Sequence, residues 1–200
     1  MNSKPRIAIL GGGGQTGTFL VSELLRQRYP LKLLLRSEHF LLDHNSVEIV
    51  QGDARDLKAV DEVLRGCDAV ISTIGQRKDE PMVASFATMN IISATQKYQI
   101  RRYISLAGLN IDTPFDEKGP QTAAATNWMK ENFPEIQDDR QKAYTILTDS
   151  DLKWTLVRVP VIEFAERRGN VRISVKDCLG TSITAGDIAE FLIQQLDDRR

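Results

Sequence analysis

Seven residues near the start of the chain, Gly11-Gly12-Gly13-Gly14-Gln15-Thr16-Gly17, restrict its fold more than any other stretch. A short apolar run, Arg6 to Leu10, leads into them. Phe19, Leu20, Leu24 and Leu25 follow at helical spacing until Arg28, and Pro30 closes the segment. The context is therefore strand, glycine turn, helix. Four consecutive glycines carry a large entropic cost, so the backbone itself must need them. Gly11, Gly14 and Gly17 have the spacing Gly-x-x-Gly-x-x-Gly. In such a turn the first glycine permits the sharp reversal and the second lets a pyrophosphate approach the backbone. The third lets the helix lie close to the strand. The helix N-terminus then offers free N–H groups and a positive dipole end to phosphates. The Gly-x-x-x-x-Gly-Lys-Ser/Thr pattern is absent, so the turn predicts dinucleotide binding rather than nucleotide hydrolysis.

The rest of the chain repeats the alternation. Apolar runs at Leu31 to Leu35, Val47 to Val50, Cys67 to Ile74, Arg102 to Leu106 and Trp154 to Val159 read as strands, apolar on both faces. Helical stripes lie between them: Leu57 to Leu64, Met82 to Gln96, Gln121 to Glu131 and Asp138 to Ser150. Ile111 to Pro120 is polar and broken by proline, so it reads as a loop. Gly169 to Val175 reads as a short strand or hairpin arm. A last helix is expected from Thr184 to Leu196, with Thr184 and Asp187 at capping-box spacing. Short apolar strands alternating with helices predict a parallel sheet covered on both faces. The fold class is α/β, a doubly wound Rossmann sheet of strand order 3-2-1-4-5-6. No composition shift divides residues 1–200, so a single dinucleotide-binding domain is expected. Residues 160–182 are expected to form a small irregular C-terminal lobe on the substrate side.

Small or polar residues close each strand: Gly52-Asp53, Thr73-Ile74-Gly75, Ser105-Leu106-Ala107-Gly108 and Pro160. Ligands of open α/β sheets bind outside those ends. The end of the second strand bears on nucleotide choice. Arg36 and Ser37 stand there, and the nearest acid, Glu38, comes two positions after the arginine. A guanidinium suits a 2′-phosphate by charge and by its planar fork of donors, which favours NADP over NAD.

Composition removes other classes. A formal net charge of −1 supplies no basic field for nucleic acid or an anionic membrane. No apolar run approaches the roughly 18 residues of a membrane span or the pattern of a signal peptide. Cys67 and Cys178 have no metal-ligand spacing and suit reduced structural thiols, so a cytoplasmic setting is expected. No metal is expected. His39 and His44 fall in the loop after Arg36 and suggest no base or ligand.

With these motifs in hand, the chain resembles the atypical short-chain dehydrogenase/reductase superfamily. It is most similar to the NmrA-like NAD(P)H-binding branch, among small members of the biliverdin reductase B and flavin reductase type. The resemblance rests on Gly11 to Gly17, Arg36, Gly52-Asp53, Asp68 to Gly75, Ile104 to Gly108, Asp151 to Pro160 and Ile183 to Ala189. It implies that Gly11, Gly14, Gln15, Thr16 and Gly17 meet the pyrophosphate and that Arg36 and Ser37 meet the 2′-phosphate. It implies Asp53 near the adenine, Thr73, Ile74 and Gly75 along the nicotinamide ribose, and Ser105 and Pro160 beside the nicotinamide. The superfamily's usual proton donor, Tyr-x-x-x-Lys, is missing. Tyr29, Tyr98, Tyr103 and Tyr144 are followed four positions on by Leu33, Arg102, Ala107 and Thr148. Where small relatives carry histidine after paired aspartates, this chain has Asp138-Asp139-Arg140, with Lys142 nearby as a solvated side chain.

The expected activity is an NADP(H)-dependent oxidoreductase that delivers hydride to a small acceptor such as a flavin or quinone, with Ser105 as the orienting hydroxyl. Acceptors of that kind take protons from water, so a dedicated acid is not obligatory, and the cofactor supplies the chemistry. The alternative is a non-catalytic NADP(H) sensor that acts through a protein partner. An epimerase or isomerase is a weaker third reading, since such chains are usually longer, with a larger C-terminal substrate lobe.

Overall fold

A computed structural model describes residues 4–37, 45–75 and 82–197. In chain order the elements are β1 (Ile7–Leu10), α1 (Gln15–Arg26), β2 (Leu31–Leu35), β3 (Val47–Gln51), α2 (Leu57–Leu64), β4 (Ala69–Ser72) and α3 (Val83–Tyr98). Then come β5 (Arg102–Gly108), α4 (Pro120–Asn132), α5 (Pro134–Thr148), β6 (Lys153–Val159), β7 (Val161–Glu163), β8 (Ser182–Thr184) and α6 (Ala185–Gln194). The sheet runs β3-β2-β1-β4-β5-β6 with every pairing parallel. This is the doubly wound order expected from the alternation.

Each face of the sheet has its own core. Side chains alternate across a strand, so Ile7 and Ile9 turn to one side and Ala8 and Leu10 to the other. The first side packs on Leu20 and Leu24 of α1 and on Ile188 and Leu192 of α6. The second packs on Val60 and Val63 of α2, Ile91 of α3 and Leu147 of α5. β1, β2 and β4 are wholly buried. A fully buried leucine or isoleucine contributes roughly 1.5–3 kcal/mol, which is why these short strands hold together.

Three expectations need correction. β3 is not apolar on both faces: it is the sheet's edge, and Glu48 and Ile49 are exposed. Its Glu48 serves the neighbouring strand, where buried Lys32 meets it at 2.9 Å. α5 starts one turn earlier than its apolar stripe, at Pro134, a residue whose fixed φ suits a first helical turn. The strand or hairpin arm expected at Gly169 to Val175 is absent. Val171, Ile173 and Val175 do alternate, but their side chains are exposed and no strand pairs with them. Alternation without a neighbouring sheet edge leaves the backbone irregular. The ladder of this region lies elsewhere, between β7 and β8, which pair in parallel.

The irregular segment is nonetheless tied down. Asp187, in the first turn of α6, accepts the N–H of Arg168 and of Gly169 at 3.1 and 2.8 Å. The Glu117 N–H donates to the Lys176 carbonyl at 2.8 Å, and Asp177 accepts the Gly119 N–H. On the other flank Arg158 of β6 binds Asp116 at 2.7 Å, and Lys118 binds Asp112 at 2.6 Å. These bonds fasten residues 164–181 and 109–119 over the carboxyl ends of β5 and β6. Among the described residues no helix is long and apolar enough to cross a membrane.

Candidate functional site

The glycine turn is shaped by contact. Gly11 has φ +85°, a left-handed conformation that side chains rarely adopt, and a Cβ there would meet the Ile74 nitrogen and the Thr73 carbonyl carbon at 2.8 Å. The Thr73 hydroxyl donates to the Gly11 carbonyl at 3.2 Å. The turn after β1 is thus pressed against the end of β4. At Gly17 a Cβ would overlap the Gly11 carbonyl oxygen, so only glycine lets α1 sit this close to the turn. Gly14 differs: its φ is −79° and it is exposed, with a Cβ position 3.2 Å from the Gly11 oxygen.

Gly14 is the N-cap of α1, and no side chain caps that helix. No acid stands in its first turn. The N–H groups at a helix start lack intrahelical acceptors. By contrast Asp56 accepts the Lys58 N–H at the start of α2, and Thr184 accepts the Asp187 N–H at the start of α6. Gly13, Gly14 and Gln15 are exposed at the uncapped end. A dinucleotide pyrophosphate fits this set: orphan donors, a positive dipole end and no Cβ in the way.

Arg36 and Ser37 follow β2 and are exposed. Arg36 lies close enough to Asp53 to help hold its carboxyl down. The stronger cause is Arg55, which grips both Asp53 oxygens at 2.9 Å and donates its own N–H as well. Asp53 therefore shapes the turn after β3, beside the strand end that carries Arg36. Glu38, His39 and His44 lie outside the described residues.

A cleft opens where β4 and β5 end, between the sheet and helices α3 and α5. Ile74, Ser105, Ala107, Arg140 and Tyr144 are among its lining residues. Ile74 is shared with the glycine turn, so the cleft begins where the turn ends. The cleft also exposes hydroxyl chemistry. Ser72 and Ser105 are partners across β4 and β5, and the buried Tyr103 hydroxyl lies among those of Ser105, Ser72 and Thr88. Burial pushes the Tyr103 phenol up, and these hydroxyls only partly offset it. Pro160 stands at the tip of β6, outside the cleft lining. Gly75 is the last described residue before Met82 and is exposed.

α5 carries three side chains whose roles the sequence leaves open. Tyr144 lines the cleft and packs edge-on against Trp154 at 6.0 Å between ring centroids. Burial raises its pKa, and the hydroxyl of Thr148 donates to the Thr145 carbonyl rather than toward it. Lys142 is exposed, as expected. Asp139 is buried and committed elsewhere. Its carboxylate accepts the N–H of Ala84 at 2.8 Å, the N–H of Ser85 at 3.2 Å and the Ser85 hydroxyl. It caps α3, whose own N-cap residue, Met82, offers no side-chain bond. The pairing spans 54 residues, and local sequence carries no trace of it. Sequence reasoning also missed Arg140 as a cleft residue. Its i,i+4 relation to Tyr144 on α5 was the available signal.

Neither cysteine is a reactive thiolate. Cys67 is buried, which raises its pKa to about 11, and its thiol donates to the Val63 carbonyl. Burial and Asp177 raise Cys178 as well. No group of metal-ligating residues occurs among the described residues.

The doubly wound sheet, the glycine turn and the uncapped helix define a dinucleotide-binding protein. The NAD(P)H-binding family model matches residues 11–199, and the chain belongs to that family. Solved structures share the fold. ChuY, an anaerobilin reductase from Escherichia coli O157:H7, superposes with a TM-score of 0.80 at 20% identity, covering 97% of this chain and 91% of its own. A short-chain dehydrogenase/reductase from Veillonella parvula DSM 2008 in complex with NADP gives 0.78 at 17% identity, covering 99% and 89%. A Streptococcus pneumoniae TIGR4 protein named as an NADH-flavin reductase gives 0.77 at 20% identity, covering 96% and 93%. A curated relative, N-acetyl-alpha-D-glucosaminyl-diphospho-ditrans,octacis-undecaprenol 4-epimerase of E. coli O157:H7, is 26% identical over 191 residues. That match covers 87% of this chain and 54% of the epimerase, so the chain spans about half the length of this relative.

Proposed function

We propose that the protein is an NADP(H)-dependent reductase whose acceptor is a small flat molecule, such as a flavin or quinone, seated in the cleft. The observation that carries this reading is the continuity of turn and cleft through Ile74. A phosphate site at the start of α1 and an acceptor site between α3 and α5 then share one wall. The reductases among the structural neighbours agree with it.

When bound, a reduced nicotinamide supplies a hydride. The chain's own residues do the rest. The N–H groups at Gln15, Thr16 and Gly17 hold the pyrophosphate, and Gly14 leaves room for it. Arg36 and Ser37 recognise the 2′-phosphate. Thr73, Ile74 and Gly75 line the path between turn and cleft. Ser105 orients the acceptor by a hydrogen bond, and the apolar wall of Ala107, Ile111 and Leu156 excludes water from one face. Tyr144 keeps its proton, because burial raises its pKa and, among the described residues, no lysine is among the charges that act on it. The test is NADPH oxidation, followed optically, with a panel of flavins and quinones. Steady turnover is expected with at least one of them.

A second reading has one observation in its favour. Among the described residues that line the cleft, none pairs a hydroxyl with an activating lysine, which suits a sensor of NADP(H) that signals through a protein partner. Tight NADPH binding without turnover on any acceptor selects it over the reductase.

A further inference from the structure

Among the described residues Arg140 is the one ionic side chain that lines the cleft; the others are aliphatic, alanine, aromatic or hydroxyl-bearing. Among the described residues no acceptor lies within hydrogen-bond or ion-pair reach of its guanidinium. The nearest carboxylate, Asp139, is its neighbour in sequence but points the other way, with both oxygens engaged by the start of α3. Asp138 is on the exposed side of α5. Ala143, Tyr144 and Leu147 of α5 share the cleft-facing side with Arg140. Desolvation pulls the Arg140 pKa down, and the charge of Asp139 opposes it only in part. Arg140 is partly buried, and a cation even partly withdrawn from water ordinarily finds a counter-charge and hydrogen bonds in place of the solvent it loses. A guanidinium kept in an apolar cleft without either lacks the partner that a ligand would bring.

We infer that Arg140 is the recognition residue for a carboxylate on the molecule that enters the cleft, so that among flat acceptors the carboxylate-bearing ones are preferred over neutral ones. A carboxylate is planar and matches the fork of the guanidinium with two parallel hydrogen bonds. Among the described residues the lining adds no other charge, so a neutral analogue of the same shape finds no substitute there for those bonds. The inference rests on reading the cleft as the acceptor site. Its test therefore uses binding and stability rather than turnover.

Benzoate is the probe and benzamide its neutral counterpart, each titrated calorimetrically into the protein with and without saturating NADP+. Wild type is expected to bind benzoate at least about tenfold more tightly than benzamide, as charge-assisted bonds require. Arg140→Met keeps the length of the stem and removes the charge. It should lose about tenfold or more in benzoate affinity and none for benzamide, with NADP+ affinity within about twofold of wild type. Arg140→Lys should recover only part of the loss, having one ammonium in place of a fork. The ligand-free Arg140→Met protein should melt at or above the wild-type temperature, since a partly buried charge without a partner among the described residues is gone. A merely structural arginine would give a lower melting temperature instead. Three results would overturn the inference: no preference of wild type for benzoate, benzoate binding unchanged in Arg140→Met, or an NADP+ affinity that falls with it and reassigns Arg140 to the cofactor. A protein that shows the benzoate pattern yet turns over no acceptor would retire the reductase reading and leave the carboxylate site standing.

Discussion

Four positions separate space, charge and a hydroxyl group at the proposed site. Gly17→Ala should destabilise the fold by about 1–3 kcal/mol, because its Cβ meets backbone that has no freedom to move. Gly14→Val should instead leave a folded protein that no longer binds the cofactor, since Gly14 is exposed and has an ordinary φ. Denaturation midpoints and a cofactor titration on both variants check the contrast. Retained affinity in Gly14→Val would put the phosphates elsewhere. Arg36→Ala should cost NADPH about 1.5–3 kcal/mol of binding through a lost charge-assisted bond, and NADH far less. Equal losses in calorimetry would remove Arg36 from the 2′-phosphate. Tyr144→Phe should lower NADPH-dependent turnover by under about tenfold, or about 1.4 kcal/mol of barrier. A general acid is worth about a hundredfold or more, so a fall of that size at unchanged cofactor affinity would restore a tyrosine-based mechanism.

Among the elements, α3 depends on its neighbour. Its N-cap residue, Met82, has φ 61° and contributes no side-chain bond, and the cap comes from Asp139 on α5. Asp139→Ala should cost about 2–3 kcal/mol, the sum of a lost cap and buried N–H groups without an acceptor. Amide exchange at Ala84 and Ser85 should quicken more than elsewhere in α3. A uniform change along the helix would mean that the carboxylate supports α5 rather than the start of α3. This arrangement also explains why the paired aspartates are not a proton source: one is a cap and the other is solvated. The sequence shows only that Asp138-Asp139-Arg140 stands where small relatives carry histidine after paired aspartates. The fold commits Asp139 to backbone and leaves Arg140 in the cleft.

Across the whole molecule, the irregular lobe and the sheet are joined through Asp187. Burial alone would raise its carboxyl. The N–H of Gly169, the Thr184 hydroxyl and the N–H of Arg168 outweigh that and hold it below the usual carboxylate range. A depressed folded pKa contributes stability that is present in full above the unfolded value near pH 4. The contribution disappears as pH falls through the lower folded value. Asp187→Asn should therefore be about 1–3 kcal/mol less stable than wild type at pH 7, with the gap closing as pH falls below the ordinary carboxylate range. Urea melts across that range check it, and a gap that persists undiminished in acid would mean that shape rather than charge holds the lobe. The Thr184-to-Asp187 spacing is legible in the sequence as a capping box, and half of it forms, with the Asp187 N–H on the Thr184 hydroxyl at 3.1 Å. The carboxylate accepts the Thr184 hydroxyl and reaches on to the N–H groups of Arg168 and Gly169 in the lobe.

Local physics carried the strand order, the glycine turn and the uncapped start of α1 directly from the sequence. Each depends on contacts within a few residues or on a periodicity that one strand or helix displays alone. Elements with strong periodicity, such as β2 and α2, fall at Leu31–Leu35 and Leu57–Leu64 as read. The edge character of β3 required knowing which strand lacks a neighbour. The loss of the Gly169 to Val175 strand required knowing that no sheet edge is available to it. The same holds for the cleft. Ser105 was legible because it opens the Ser105 to Gly108 stretch that closes β5, whereas Arg140 is a cleft residue only because α5 packs against α3 across β4 and β5. Burial, an orphaned charge and a cap supplied from 54 residues away are properties of the packed chain, and no local pattern encodes them.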